Sequence, residues 1–174
     1  MTKSEFLPLL LLPLLAGIVS CGQQNSTRLD YEMGEKVPLG PLTYNVIQTT
    51  WKTDLGDALK TRSPQQRFLL ISISVTNGGG KEIALPLLSL ENDRGQTINE
   101  SENMDGVPNP IGILRTVGPA QTLQGTILFD TGLASYRLRL TDGGEPGSEK
   151  VAWVNIPLRM DVDTGVQAPI PGAR

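Results

Sequence analysis

The sequence contains no histidine and a single cysteine, Cys21. Those two facts remove the commonest general base, the commonest zinc ligand, any intramolecular disulfide and any cysteine-based metal cluster. Carboxylates, arginines and hydroxyls are left to do chemistry. Gly78-Gly79-Gly80-Lys81 has the composition of a phosphate loop, but a P-loop needs a glycine five positions before its last one and Ser or Thr after its lysine. Val75 and Glu82 occupy those positions. There is no G-x-S-x-G and no serine with a lysine three residues on, so the usual serine nucleophile signatures are missing. A hairpin turn is the better reading of the glycines.

Two groups of charged residues remain as candidates. Glu100, Glu102 and Asp105 share one polar stretch, with Glu91 and Asp93 just before it. Hard oxygen donors on a loop suit Ca²⁺. Their spacing matches no Ca²⁺ loop, and Asp161-Val162-Asp163 lacks the glycine of an EF-hand, so a solvated acidic loop with no metal is expected. Arg137 and Arg139 lie two apart, which puts both on one face of a strand as an anion-binding or partner surface. No catalytic residue, metal or cofactor is assigned. Arg137, Arg139, Glu100, Glu102 and Asp105 form the candidate partner surface. Trp51 and Trp153 could line a ligand site, but tryptophans on strands are more often core.

Cys21 has a context of its own. Leu7 to Val19 is apolar, interrupted by Pro8 and Pro13, and too short to span a bilayer as a helix. It follows Lys3 and ends in Ile18-Val19-Ser20-Cys21, which resembles the lipobox of bacterial lipoproteins. The resemblance implies cleavage before Cys21 and anchoring to membrane lipid through the acylated cysteine. Glu5 departs from the usual basic n-region, and Gly22-Gln23 lacks the aspartate associated with inner-membrane retention. The expected location is the extracytoplasmic side of a bacterial envelope, at the outer membrane in a diderm host.

The elements that must position these residues read as strands. Leu69, Ile71, Ile73 and Val75 recur with period two against Ser72, Ser74 and Thr76, then Asn77-Gly78-Gly79-Gly80 stops the run. Leu42, Tyr44 and Val46 begin a strand that reaches Trp51, and 33–40 reads as an edge strand blunted by Pro38. Residues 52–66 read as a loop with one helical turn at 57–60. Pro86 bends an 83–91 strand, 92–95 turns a hairpin, and 99–110 reads as a long surface loop. Thr122–Asp130 and Tyr136–Leu140 are further strands, and Val151–Leu158 closes the series with Pro157 at an edge. Nineteen glycines and thirteen prolines suit such a turn-rich chain. The whole predicts an all-β, immunoglobulin-like antiparallel sandwich of about seven to nine strands without a disulfide, packed over Trp51, Ile71, Ile73, Val75, Phe129, Leu138, Leu140 and Trp153.

The expected organisation is a signal peptide over 1–20, a lipidated cysteine and tether over 21–32, the sandwich over 33–158 and a tail over 159–174. The order Gly34-Glu35-Lys36-Val37, Leu42-Thr43-Tyr44-Asn45-Val46, Trp51, Phe68 to Asn77, Leu90 to Gly95 and Gly125 to Asp130 resembles the telokin-like, immunoglobulin-type extracellular domains of bacterial lipoproteins, grouped with a mycobacterial secreted immunoprotective protein. The resemblance spans 33–158, with Gly118-Pro119 reversing the family's Pro-Gly pair, and implies no agreed activity. A net charge of −3 without any Lys/Arg cluster argues against nucleic acid. The leading expectation is a non-enzymatic binding module for an envelope or extracellular protein. A structural or stress-protective envelope protein comes second, and a carboxylate-dependent enzyme or Ca²⁺-binding domain last.

Overall fold

Phe68–Asn77 alternates β-branched and small polar residues, and a pleated strand flanked on both sides is the conformation that suits it. The computed structural model describes residues 29–57, 59–144 and 148–159. Within them the strands are β1 (Asp30–Glu32), β2 (Lys36–Leu39), β3 (Leu42–Lys52), β4 (Leu55–Gly56), β5 (Thr61–Arg62), β6 (Phe68–Asn77), β7 (Ile83–Ala84), β8 (Ser89–Glu91), β9 (Thr97–Asn99), β10 (Thr116–Val117), β11 (Thr122–Asp130), β12 (Tyr136–Thr141) and β13 (Val151–Ile156). No helix occurs among the described residues. A five-stranded sheet, β1-β13-β12-β8-β9, faces a four-stranded one, β11-β6-β3-β2, and these nine strands make the sandwich. The ribbons β7·β10 and β4·β5 are additions at its margins.

The pairing is that of an immunoglobulin sandwich. β6 and β11 pair antiparallel as strands B and E do, and β8, β12 and β13 pair as C, F and G. Tyr136 opens β12, and its hydroxyl donates to the Gly132 carbonyl at 2.8 Å, forming the tyrosine corner of such folds. Leu138, two residues on and fully buried, stands where an antibody domain has its second cysteine.

Several expectations are corrected. β1 lies inside the stretch expected to be tether and pairs in parallel with β13, so β13 is an interior strand and its pairing stops before Pro157. The expected helical turn is replaced by the β4·β5 hairpin, where Asp57 Oδ1 accepts the Leu59 and Lys60 amides, both at 2.9 Å. The glycines at 78–80 turn the chain between sheets rather than forming a hairpin, since β7 pairs with β10. Residues expected to be tail beyond Arg159, and Cys21 itself, lie outside the described residues.

Trp153 is not core. Ala152, Val154 and Ile156 point inward, so the odd residues of β13 face solvent. Trp51 reaches the core face, half-buried against Tyr136, through a bulge. Val46 opposes Ile73 but Gln48 opposes Ser72, so Ile47 is the extra residue. The extra residue inverts the parity of β3: even positions face inward before it, odd positions after it.

Phe68, Leu70 and Leu128 are buried on the outer side of the four-stranded sheet, in a second cluster with Leu55 and Val107. The 99–110 stretch is therefore a cover as much as a surface loop. It runs along β11, taking Thr126 N to Asn109 O at 2.8 Å and Ser101 N to Leu128 O at 2.7 Å, and so shields an edge that would otherwise be open. A Cβ on Gly125 would sit 2.6 Å from the Asn109 carbonyl, so only glycine permits this approach.

Glu100 and Arg115 anchor that cover from within. Arg115 Nη1 and Nη2 donate to the two Glu100 carboxylate oxygens at 2.7 and 2.9 Å, with side-chain exposures of 2% and 0%. Arg115 also donates to the Pro86 and Gly112 carbonyls, and Glu100 Oε2 accepts the Leu88 amide. Asn77 plays a similar part across the turn, giving Nδ2 to the Lys81 and Val117 carbonyls and taking the Gly79 amide on Oδ1.

Glu100→Ala is expected to lower unfolding free energy by about 3–5 kcal/mol in urea denaturation, because it strands a buried guanidinium. The double change Glu100→Leu, Arg115→Met should recover a large part of the loss; a single-mutant cost under about 1 kcal/mol would mean the pair is not buried as described. Asn77→Ala, which orphans an amide and two carbonyls, should cost about 1–3 kcal/mol in the same assay.

Candidate functional site

Strand parity places Arg137, Arg139, Trp153, Asn155 and Glu91 on the outer face of the five-stranded sheet. Arg137 lies opposite Glu91 on one side and Asn155 on the other, while Arg139 lies opposite Ser89 and Trp153. Cross-strand neighbours this close pair their charges. Arg137 Nη2 donates to Glu91 Oε1 at 2.6 Å, and the Trp153 indole donates to Glu91 Oε2 at 3.0 Å. The Arg137 guanidinium lies 5.7 Å from the Trp153 ring centroid, within cation–π range, and 3.9 Å from the Asp30 carboxylate. Arg139 hydrogen-bonds Glu149, which also accepts the Thr141 hydroxyl at 2.9 Å.

The Arg137 guanidinium, and next the Trp153 indole, hold the Glu91 carboxyl below the usual glutamate range. The Thr141 hydroxyl and then Arg139 do the same for Glu149. Both acids stay charged at neutral pH, so the face is a lattice of fixed opposite charges around a half-buried tryptophan.

Beside Arg137 the sheet end opens into a cleft of about 490 Å³, lined among others by Glu32, Asp93, Tyr136, Asn155 and Pro157. Asn155 Nδ2 donates to Glu32 Oε1 at 2.6 Å across its wall. This size suits a small ligand or a partner's side chain. A second hollow of about 450 Å³ lies between the β4·β5 hairpin and residues 103–106, spanned by Lys60 and Asp105 at 3.3 Å.

The structure separates the sequence-derived candidates. Arg137 and Arg139 share the face. Glu100 is withdrawn into the interior with Arg115, so it belongs to no partner surface. Glu102 is exposed and Asp105 pairs with Lys60, on the far side of the molecule's second cluster. Among the described residues no three acids converge on a point where a metal ion would sit. Sequence reading missed Glu91 as the acid that joins Arg137 to Trp153. It also put Trp153 in the core, although the apolar phase of Ala152, Val154 and Ile156 excludes that. What the face offers chemically is recognition: charged hydrogen-bond donors and acceptors, an aromatic plane and a cleft.

In a Trp51→Phe background, Trp153 emission should titrate with Glu91. The midpoint is expected below about 4.3, the ordinary glutamate value, and Arg137→Ala should move it up. A depressed folded pKa means the Glu91 contribution to stability is present above the ordinary glutamate range and is lost as pH falls through the lowered value. An unchanged midpoint in the arginine variant would break the link.

Among solved structures, the chain is similar to the yjhA protein of Bacillus subtilis, with 14% identity, TM-score 0.55, and coverage of 72% of this chain and 98% of that one. It is also similar to a functionally unknown protein of Listeria monocytogenes EGD-e, at 12% identity and TM-score 0.53 over 76% and 86% of the two chains. A third likeness is to ycdA of Bacillus subtilis, a candidate lipoprotein, at 13% identity and TM-score 0.51, covering 70% of this chain and 38% of that one. At such identities the likeness is one of fold. No curated protein matches the sequence. A family model described as a domain of unknown function, DUF4352, matches residues 31–152. The chain belongs to the DUF4352 family.

Proposed function

We propose that this protein is a lipid-anchored, non-catalytic binding module of the bacterial envelope, whose immunoglobulin-like domain meets a protein partner through the outer face of the five-stranded sheet. The observation that carries the reading is the network on that face. Arg137, Glu91 and Trp153 lock one another in place beside a cleft, so the surface is preorganised for contact and loses little side-chain freedom on binding. A rigid scaffold that presents an aromatic and paired charges suits recognition.

Anchoring is supported by the lipobox-like Ile18-Val19-Ser20-Cys21 and by the fold likeness to the candidate lipoprotein ycdA. In this reading 1–20 is cleaved, Cys21 carries acyl chains that hold the outer membrane, and the tether ends at Leu29 where β1 begins. More than one chain is needed, since a single acyl chain holds a protein only marginally. The telokin-like grouping of the domain belongs to the same proposal and rests on its strand motifs.

Cys21→Ala should move the protein from the membrane to the soluble fraction and remove the acyl mass seen by intact mass spectrometry. A photo-crosslinking residue at Asp93, beside the network, should capture a discrete envelope protein that the same residue at Lys36, on the other sheet, does not. Identical products from both positions, or none from either, would rule out the sheet face as the binding surface.

A further inference from the structure

The half of the sandwich away from the cleft has a surface of a different kind. Ile83 to Leu90 contains no charged residue, and Gly106 to Ala120 contains only Arg115, whose side chain is buried against Glu100. The two segments are bound together by Leu85 N to Arg115 O at 2.9 Å and Arg115 Nη2 to Pro86 O at 2.7 Å. On them Leu87 and Ile113 are 44% and 39% exposed, and Leu114 is 97% exposed. A fully exposed leucine flanked by half-exposed aliphatics, on a surface without charge, marks a contact site rather than a wetted one.

The course of the chain identifies what covers it. β1 runs parallel to β13, with Asp30 opposite Trp153 and Glu32 opposite Asn155, so Leu29, whose carbonyl accepts the Trp153 amide, lies toward the Val151 end of the sheet. Pro86 of the first segment and Val117 of the second lie at that end. A Cβ on Gly143, in the turn before β13, would stand 3.5 Å from Pro86, and Val117 is tied to Asn77 at the end of β6. Eight residues, Gly22 to Leu29, separate Cys21 from Asp30, a reach of about 30 Å when fully extended. A tether that short, attached at that end, keeps the uncharged half of the domain within touching distance of whatever holds Cys21.

We propose that Leu87, Ile113 and Leu114 dip into the interfacial layer of the bilayer that carries the acylated Cys21, and so fix the orientation of the domain. The proposal rests on the lipid-anchored reading of Cys21. The acyl chains supply the affinity and raise the local concentration of the patch at the membrane, so the three side chains need only choose which end faces the lipid. Apolar side chains without neighbouring charge enter that layer at no cost in ion desolvation. The cleft, at the Tyr136 and Ile156 end of the strands, then lies away from the membrane.

The test uses the full-length lipidated protein in phosphatidylethanolamine/phosphatidylglycerol vesicles, with either Leu114→Cys or Asp93→Cys labelled by bimane. Both sites are exposed, so neither variant should disturb folding. The expected result is blue-shifted emission at 114 that is quenched by brominated acyl chains, with unshifted and unquenched emission at 93. Equal, water-like emission from both positions on membrane-bound protein would overturn the proposal while leaving the anchor intact. Burial of the 114 dye in lipid-free dimers, without quenching by brominated lipid, would overturn it in favour of a second copy of the chain. Labelling stoichiometry separates failure of the anchor itself: one dye per chain means Cys21 is blocked, whereas two mean a free Cys21, which removes the anchor and the proposal together.

Discussion

The Glu100–Arg115 pair closes a sandwich that would otherwise be open along one side. Residues 100–115 pass where the margin of the four-stranded sheet needs cover, and they contain no long strand to hold them by ladder hydrogen bonds. A buried, bidentate ion pair substitutes for that ladder. Its remaining donors and acceptors reach three backbone segments at once, through Pro86, Leu88 and Gly112. Buried charges are costly unless every lone pair and proton is used, which is why the pair comes with these extra bonds. Arg115 Nε is the one buried side-chain atom among the described residues without a partner. The β11 edge, the second hydrophobic cluster and the position of Leu87 and Leu114 all depend on this junction.

Two parts of the surface are consequently unlike. One, with Glu91, Arg137 and Trp153 beside a cleft, is bound into a network on regular strands. The other shows aliphatic side chains on irregular segments fixed from inside by the ion pair. Strands place the first set with the precision of cross-strand register. The second is placed by side chains reaching backbone carbonyls. A single small domain thus carries a lattice of paired charges and a set of exposed aliphatic side chains.

Much of the sandwich was legible in the sequence because period-two patterns carry their own geometry. β6, β11 and β12 lie where the period-two recurrence of Ile71, Ile73 and Val75, of Ile127 and Phe129, and of Tyr136, Leu138 and Leu140 puts them. Three features were not legible, each for a physical reason. The bulge at Ile47 changes the parity of β3 without any glycine or proline to announce it. β1 is three residues long and its partner lies more than a hundred residues away, so no local pattern specifies it. Glu100 and Arg115 are polar residues in loops, and a charge in a loop reads as solvated until its partner is seen. Of the candidate site, the shared face of Arg137 and Arg139 followed from spacing alone. The place of Trp153 beside them could have been read from the phase of its own strand.

Leu138 has a consequence outside geometry. Sandwiches of this architecture often rely on a cystine between the sheets, and so depend on an oxidant and on the machinery that delivers it. Here an aliphatic side chain fills that place, fully buried, and the chain has a single cysteine, which leaves no pair to oxidise. The domain therefore reaches and keeps its native state without a cystine. Its stability is indifferent to the redox poise of its surroundings, and the same fold serves in oxidising or reducing conditions without any change to the core.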